Sequence, residues 1–231
     1  MMKFSLVIPC YNESKNLPFF LDRCSVLLEN KVELIFVNNG SKDNSIEVLD
    51  KMRIQYPQIR VLNIKKNIGY GHGILNGLNA TSGEVIGWCH ADLQTDPNDF
   101  LKAIKYFKYS AQDNYIKGKR KNRNFYDNLY SIGMSLIATF LLRGFYWDIN
   151  AQPTVFTKKF FKKWKNPPVD FSLDLYSYYM ANKHQLNVIR FPVTFKKRLF
   201  GQSSWNYNLI SKINLVKKTI YAMLNLKKNN D

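Results

Sequence analysis

Short apolar runs, each cut off by turn chemistry and separated by helical spacing, organise the first half of the chain. Phe4-Ser5-Leu6-Val7-Ile8 reads as a buried strand stopped by Pro9. Glu33 to Val37 is a second strand, ended by the turn residues Asn38-Asn39-Gly40-Ser41. Arg60 to Ile64 and Glu84 to Cys89 give a third and a fourth. Helical patterns over Lys15 to Leu28, Ser45 to Tyr56 and Ile74 to Asn79 lie between them. Strands alternating with helices predict an α/β fold with a parallel, doubly wound sheet, and ligands at the carboxyl ends of its strands. Residues just after strands are therefore where chemistry is expected.

The second half is less regular. It contains an apolar helix over Tyr126 to Leu142, a helix over Leu173 to His184 and an extended stretch over Asn187 to Phe195. In the final stretch, Leu209 to Leu226, Ile213, Val216, Ile220 and Leu224 recur at helical spacing with Lys212, Lys217 and Lys218 among them. No repeat or low-complexity linker interrupts the 231 residues, so one domain is expected. Its core spans about 4–165 and its C-terminal helical part about 166–231. A hydrophobic fraction of 45% is enough to bury a sizeable core.

Charge narrows the partners. Thirty-four Lys plus Arg against 17 Asp plus Glu give a formal +17, and only eight of the cations are Arg. The densest runs are Lys117 to Arg123, Lys158 to Lys165 and Lys196 to Arg198. Recognition of phosphate with fixed geometry favours Arg, whose planar fork binds two oxygens. Diffuse Lys suits solvation or attraction to an anionic surface. No helix-turn-helix, zinc-finger or aromatic RNA-binding signature accompanies the charge, so nucleic acid is not the expected partner.

Cys10, Cys24 and Cys89 form neither a paired framework nor a metal spacing, which points to a reducing compartment. Met1 leads directly into the first strand pattern without a secretory signal. The longest apolar stretch, Ile132 to Leu142, falls well short of the roughly 20 residues of a spanning helix. The expectation is a cytoplasmic protein, with peripheral contact to the inner face of the cell membrane as an accompanying reading. The apolar helix and the basic C-terminal helix suit an anionic leaflet, and equally a packed core helix and a solvated face.

A dinucleotide-binding fold is the obvious rival for such a sheet. Its glycine fingerprint should follow the first strand, where Pro9-Cys10-Tyr11-Asn12-Glu13 stands instead. Gly69-Tyr70-Gly71-His72-Gly73 offers alternating glycines only after the third strand, and reads as a tight backbone turn.

Taken together, the strand ends read IPCYNE, VNNGSKDNS, KKNIGYGHG and WCHADLQTDP. This set resembles the family-2 glycosyltransferases of GT-A type, with signatures like VIPxYNE, VDDGSxD, NxGxGxA and DADLQ. Within them it looks closest to the polyprenyl-phosphate sugar transferases of the dolichyl-phosphate mannosyltransferase type and their bacterial relatives. The resemblance continues in Ile116 to Arg120 (family VxGSR) and in Phe191-Pro192-Val193 followed by Arg198 to Ser204 (family PVxFxxRxxGxSK), so it covers about Phe4 to Trp205. It implies a GT-A (nucleotide-diphospho-sugar transferase) Rossmann-like fold, with a mostly parallel central sheet and helices on both faces. It also implies an inverting enzyme that moves a sugar from a nucleoside-diphosphate sugar to a polyprenyl phosphate or glycan in cell-envelope glycan synthesis.

The resemblance assigns roles to individual residues. Pro9, Tyr11, Glu13, Asn39 and Asp92 would bind the donor, with Tyr11 stacking on the base or merely packing on the sheet edge, and Glu13 accepting from the ribose. Asp92 and Gln94, two apart at a strand end and so able to point to one side, offer hard oxygen ligands for Mg²⁺ or Mn²⁺. An ion there would act as a Lewis acid on the departing diphosphate. Asp92 could instead cap the following helix, although Asp96 before Pro97 suits that better. His90 stands where the family has an acidic residue; it is carried as a third candidate ligand, one that favours Mn²⁺ or lowers metal dependence. Asn38-Asn39 replace two Asp, so a base N–H would be met without charge assistance.

Arg120, Arg198 and Ser203 fall on the positions that would hold an acceptor phosphate, an acceptor that needs no strong base. If the acceptor is a sugar hydroxyl, a carboxylate must take its proton. Asp174 is then the catalytic candidate beside Asp92, or else only a charge in a helix first turn. The contrasting expectation is a catalytically silent basic module binding nucleotide or an anionic polymer.

Overall fold

The computed structural model describes residues 2–108, 113–121, 125–201 and 209–228, with backbone alone for 108, 125–130, 209–215 and 227. One seven-stranded sheet is built from β1 (Phe4–Cys10), β2 (Glu33–Asn39), β3 (Ile59–Ile64), β4 (Val85–Trp88), β5 (Asn114–Lys121), β6 (Thr154–Thr157) and β7 (Asn187–Thr194). Its order is β3-β2-β1-β4-β6-β5-β7. The ladders are parallel except at β6, which runs antiparallel to both β4 and β5. The mostly parallel sheet expected from the alternating pattern is therefore present.

Helices cover both faces, because strands such as β2 are buried along their length and have no polar side to present to water. One apolar core holds β-residues such as Leu6, Ile8 and Phe36 against α1 (Leu17–Arg23), α2 (Ser25–Glu29), α3 (Ser45–Gln55) and α5 (Asp99–Lys108). The other sets Val7, Ile35 and Trp88 against α4 (Tyr70–Ala80), α6 (Phe125–Leu142), α7 (Lys158–Phe161) and α8 (Leu173–Lys183). The last helix, α9 (Leu209–Lys228), packs on α6.

Several local expectations are corrected. Pro9 does not stop β1, which runs on to Cys10. Strand β4 pairs with β1 only from Phe4 to Val7, so one flank of β1 is open where the proline lacks its N–H. The helix expected over Lys15 to Leu28 is two short helices that meet at Cys24. The glycine-rich stretch is not a turn. Only Gly69 has a positive φ, +149°, while Gly71 and Gly73 lie in the first turn of α4. They are needed there for close approach: a Cβ at Gly71 would sit 2.7 Å from the Pro168 carbonyl, and one at Gly73 within 3.0 Å of the Asn39 side chain. On α9, Val216 and Ile220 are half-buried, but Leu224 of the expected apolar face is exposed and its neighbour Met223 is buried instead. Strands β5 and β6 were not foreseen, because four of the eight β5 residues are Lys or Arg.

Gly87, in the centre of β4, makes the join to β6 testable. A Cβ there would lie 2.4 Å from the Thr154 carbonyl oxygen, which is backbone and cannot rotate away. Gly87→Ala is expected to lower stability by about 1–3 kcal/mol, read as a lower urea midpoint at unchanged m-value. A change below about 0.5 kcal/mol would mean that the ladder relaxes freely.

Candidate functional site

The order of the sheet reverses between β1 and β4, and their carboxyl ends, with that of β2, open onto a cavity of about 700 Å³. Crevices at such reversals are where ligands bind in open α/β sheets. Nine of the eleven residues nominated from the sequence line this one cavity: Pro9, Tyr11, Glu13, Asn39, His90, Asp92, Gln94, Arg120 and Arg198. Ser203 lies outside the described residues. Asp174 is not on the cavity wall; it sits behind it, 1% exposed, in the first turn of α8.

The loop after β1 is stitched to the loop after β2. Asn12 N–H donates to Ser41 Oγ at 3.1 Å, Glu13 N–H to Ser45 Oγ at 2.9 Å, and Lys42 N–H returns to Asn12 Oδ1 at 2.8 Å. Asp43 joins them by accepting from Ser14 N–H, which gives it a structural role that composition alone did not reveal. This frame leaves Tyr11 40% exposed on the cavity wall.

Asn39 points inward from the end of β2. Its amide NH₂ donates to the Gly69 carbonyl at 2.9 Å, which leaves Oδ1 buried without a donor. A buried acceptor of this kind costs free energy until something donates to it. Asn38 is spent on structure, donating to Asn63 Oδ1 and accepting from Ser41 N–H.

The segment after β4 carries the acidic centre. Strand alternation does not place Asp92 and Gln94 as expected, because β4 ends at Trp88 and both residues lie in the loop beyond. Leu93 between them has φ +61°, a sparsely populated conformation for a bulky residue, and Asp92 Oδ1 accepts the Gln94 N–H at 3.1 Å. Burial alone would raise the Asp92 carboxyl, but His90, the Arg198 guanidinium and the Gln94 N–H outweigh it and hold it at about 2. Arg198 donates to Asp92 Oδ2 at 2.9 Å and lies 3.6 Å from Glu13 Oε1, while its Nε is buried without an acceptor. Burial raises Glu13 despite help from Asn16 and Arg198. The loop bearing Arg198 is tied to the Asp92 loop through Lys196, whose N–H donates to Gln94 O at 2.8 Å and whose carbonyl accepts from Gln94 Nε2 at 3.2 Å.

Behind His90 lies a buried polar network that the sequence reading missed. Tyr70 Oη is 2.8 Å from His90 Nε2 and donates to Asp174 Oδ2 at 3.0 Å. Asp174 Oδ1 accepts from Lys117 Nζ and from Gln152 Nε2, each at 3.0 Å. Lys117 is fully buried; burial pushes its ammonium down to about 8, against the opposing pull of Asp174. Asp174 therefore spends its lone pairs on three donors and faces no substrate directly.

Arg120 lines the cavity with its guanidinium already engaged. Asp148 accepts from its backbone N–H and its Nε, both at 2.8 Å, and from Nη2. The group also stacks over the Phe195 ring, 5.3 Å from its centroid. Cys10, Cys24 and Cys89 are free and buried, and burial raises each thiol, so none is a nucleophile.

Among the described residues, no three His, Cys, Asp or Glu gather into a complete metal cluster. His90 Nδ1 and Asp92 Oδ2, 3.9 Å apart, form a two-sided seat, and the cation now held by that carboxylate is Arg198. A hard divalent ion fits a seat of this kind when a bound diphosphate and water supply its remaining oxygens.

Residues 5–169 match the profile described as Glycosyl transferase family 2. Over 129 residues the chain is 31% identical to an uncharacterized glycosyltransferase, YkcC, of Bacillus subtilis, covering 54% of this chain and 40% of that protein. Over 112 residues it is 37% identical to a dolichyl-phosphate beta-glucosyltransferase, ALG5C, of Trichomonas vaginalis, covering 45% and 33%. The matched segments thus span 40% or less of these relatives' own length. The structure of glucosyl-3-phosphoglycerate synthase from Mycobacterium tuberculosis, solved with Mn²⁺, UDP and phosphoglyceric acid, superposes with a TM-score of 0.75 at 15% identity. That superposition covers 98% of this chain and 78% of that one. The GT-A fold expected from the strand-end motifs is the fold found.

Proposed function

Because the chain belongs to glycosyl transferase family 2, we propose that it transfers a sugar, with inversion, from a nucleoside-diphosphate sugar to a polyprenyl phosphate or glycan acceptor of the cell envelope. The observation that carries the proposal is the gathering of base-facing, acidic and cationic side chains on one cavity at the carboxyl ends of β1, β2 and β4. Tyr11 stacks on the base at the mouth, and the orphaned Asn39 Oδ1 accepts a base N–H, as uracil, thymine or guanine would present. Glu13 accepts from the ribose. Asp92 and His90, with Gln94 beside them, would hold a divalent ion. Such an ion, when bound, supplies Lewis-acid stabilisation of the departing diphosphate.

The acceptor enters from the side of Arg198, whose cation orients an acceptor phosphate, while Arg120, held by Asp148, adds positive field from the same wall. A phosphate oxygen then bonds to the anomeric carbon as the bond to the diphosphate breaks on the opposite face. An acceptor that is already anionic needs no proton removed, which agrees with a buried, fully bonded Asp174. The polyprenyl phosphate is accordingly the acceptor we favour.

The test is a thermal-shift panel of UDP, GDP and dTDP, each with Mg²⁺, Mn²⁺ or chelator. Stabilisation by one nucleotide that requires metal is expected; stabilisation by polyanions alone would move the weight to a silent binding module. Asn39→Ala is expected to weaken the preferred nucleotide by about tenfold, the worth of one hydrogen bond to a buried acceptor. Binding of Mn²⁺-pyrophosphate, which has no base, should fall less, and only through the lost bond to the Gly69 carbonyl. Equal losses for both would remove Asn39 from base recognition.

No helix among the described residues is long and apolar enough to cross a membrane. We place the protein peripherally on the cytoplasmic leaflet, where a polyprenyl phosphate would present its head group. Leu136 and Phe140, one turn apart on α6, are 60% and 84% exposed, and Arg143 follows them. Flotation with anionic vesicles at physiological salt checks this; a protein left at the bottom of the gradient would sink it.

A further inference from the structure

We propose that His90 presents Nδ1 to the divalent ion of this site as a neutral ligand, and that Tyr70, oriented by Asp174, is the positioning residue that fixes its tautomer. The inference rests on the proposed metal-dependent donor site and says which atoms of this chain meet the ion.

The argument follows single protons through the buried network. Asp174 Oδ1 already takes the Lys117 ammonium and the Gln152 amide, so Oδ2 has only the Tyr70 hydroxyl. A buried carboxylate oxygen left without a donor would be costly. The single hydroxyl proton of Tyr70 therefore goes to Asp174. The same oxygen lies 2.8 Å from His90 Nε2 and, its proton spent, can only accept there. In the neutral ring that a metal ion requires, His90 must therefore carry its one proton on Nε2, which leaves Nδ1 with a bare lone pair.

That lone pair has no protein donor. Nδ1 faces Asp92 Oδ2 across 3.9 Å, too far for a hydrogen bond, and two acceptors have nothing to share. The gap is shorter than two metal–ligand bonds of about 2.1 Å laid end to end, so one ion can touch both atoms. Metal-bound histidines characteristically donate their other ring N–H to an oriented oxygen, which is what Tyr70 offers. Ring packing holds the arrangement: Tyr70 meets His90 edge-on at 5.4 Å and is backed by Phe171 at 5.2 Å. Gly69, with φ +149° and no room for a Cβ beside the Val169 carbonyl, sets Tyr70 at the start of α4. A seat of one carboxylate and one imidazole is softer than two carboxylates, so Mn²⁺ is preferred to Mg²⁺.

Imidazole ¹⁵N spectra of the metal-free protein read the tautomer directly, with His90→Gln assigning the resonance among the three histidines. The expected result, at a pH where the ring is neutral, is a protonated Nε2 and an unprotonated Nδ1. Pulsed EPR of Mn²⁺ bound with UDP, and separately with GDP, should then show a nitrogen coupling that His90→Gln abolishes. Tyr70→Phe keeps the ring but frees the tautomer. It is expected to mix the two ¹⁵N patterns and weaken Mn²⁺ about 10–100-fold, with nucleotide binding in chelator unchanged. Should Tyr70→Phe fail to fold, the wild-type spectra and His90→Gln still decide. An Nδ1–H tautomer, or Tyr70→Phe with wild-type spectra and affinity, overturns the positioning role. Mn²⁺ bound with nucleotide but without nitrogen coupling overturns the ligand assignment and leaves the functional reading standing. No Mn²⁺ binding with either nucleotide overturns both.

Discussion

Asp92→Ala is expected to abolish the metal-dependent part of nucleoside diphosphate binding and to lower sugar transfer by at least about 10²–10³-fold. The size of the effect follows from where the charge sits. Asp92 is 4% exposed, and with its carboxyl held at about 2 it is ionised at any working pH. Its charge is thus fixed in a dry site, where an interaction with a cation is screened far less than at the surface. His90 alone, a neutral ring, offers a divalent ion no charge to replace it. The measurement is thermal stabilisation by the preferred nucleotide with and without Mn²⁺, together with release of nucleoside diphosphate on adding a short-chain polyprenyl phosphate. At a ligand excess of about 100 times Kd, the wild type should gain about 2.7 kcal/mol, and the variant should gain only what it shows in chelator. A variant that still needs Mn²⁺ for stabilisation would move the metal away from Asp92.

The same substitution tests the cation now in place. Arg198 is bonded to Asp92 Oδ2, the oxygen nearest His90, so a divalent ion and this guanidinium compete for one atom. Arg198 belongs to the segment tied to Gln94 through Lys196. If Asp92 Oδ2 were to hold the ion, Arg198 would lose this bond and could turn to the anionic acceptor proposed above. In Asp92→Ala the arginine has lost its partner before any ligand arrives, and the 195–201 segment should lose protection in hydrogen exchange.

How much of this was legible in the sequence depends on whether a residue's role is local. The β1, β2 and β4 ends can be read because an apolar run that gives way to polar residues, as at Tyr11-Asn12-Glu13, Asn38-Asn39-Gly40 and His90, needs no knowledge of the rest of the chain. Residues beyond such ends face a crevice by the rules of parallel sheets, so Tyr11, Asn39 and Asp92 could be nominated. The strand-alternation argument for Asp92 and Gln94 fails because β4 stops at Trp88 and Leu93 turns the backbone with a positive φ. Lys117 opens the basic run Lys117 to Arg123, in which no apolar side chain follows it to mark it as buried. It is buried by β6 and β7, which pair with β5 from 37 and 73 residues away in sequence. Tyr70 stood in a glycine-rich stretch read as a turn; only the approach of Pro168 and Val169 shows that the glycines make room for a helix start. Contacts made across such sequence distances leave no periodicity to read.

The buried pair that this tertiary placement creates is expected to give the largest stability effect in the molecule. Asp174→Ala would strand the Lys117 ammonium, fully buried, with Thr154 Oγ1 at 2.6 Å as its remaining partner. Breaking a buried pair from one side costs about 3–5 kcal/mol, which for a chain of this size lowers Tm by about 10 °C. Lys117→Met should cost less, because Asp174 keeps its bonds from Tyr70 and Gln152. The double variant Lys117→Met, Asp174→Leu should recover much of the loss, since the desolvation of both charges disappears along with their attraction. Calorimetric unfolding of all four proteins checks the recovery, and a double variant no more stable than Asp174→Ala would mean that stranding the Lys117 charge is not the source of the loss. The recovered double variant carries a further consequence. It lacks the carboxylate that takes the Tyr70 proton, so Tyr70 is free to donate to His90 Nε2. Stability then returns without the His90 tautomer, and Mn²⁺ affinity should stay low in a protein that folds well. That separation would assign the pair two distinct duties: Lys117 holds Asp174 in the core by an ion pair, and Asp174 sets the proton that leaves His90 ready for a metal.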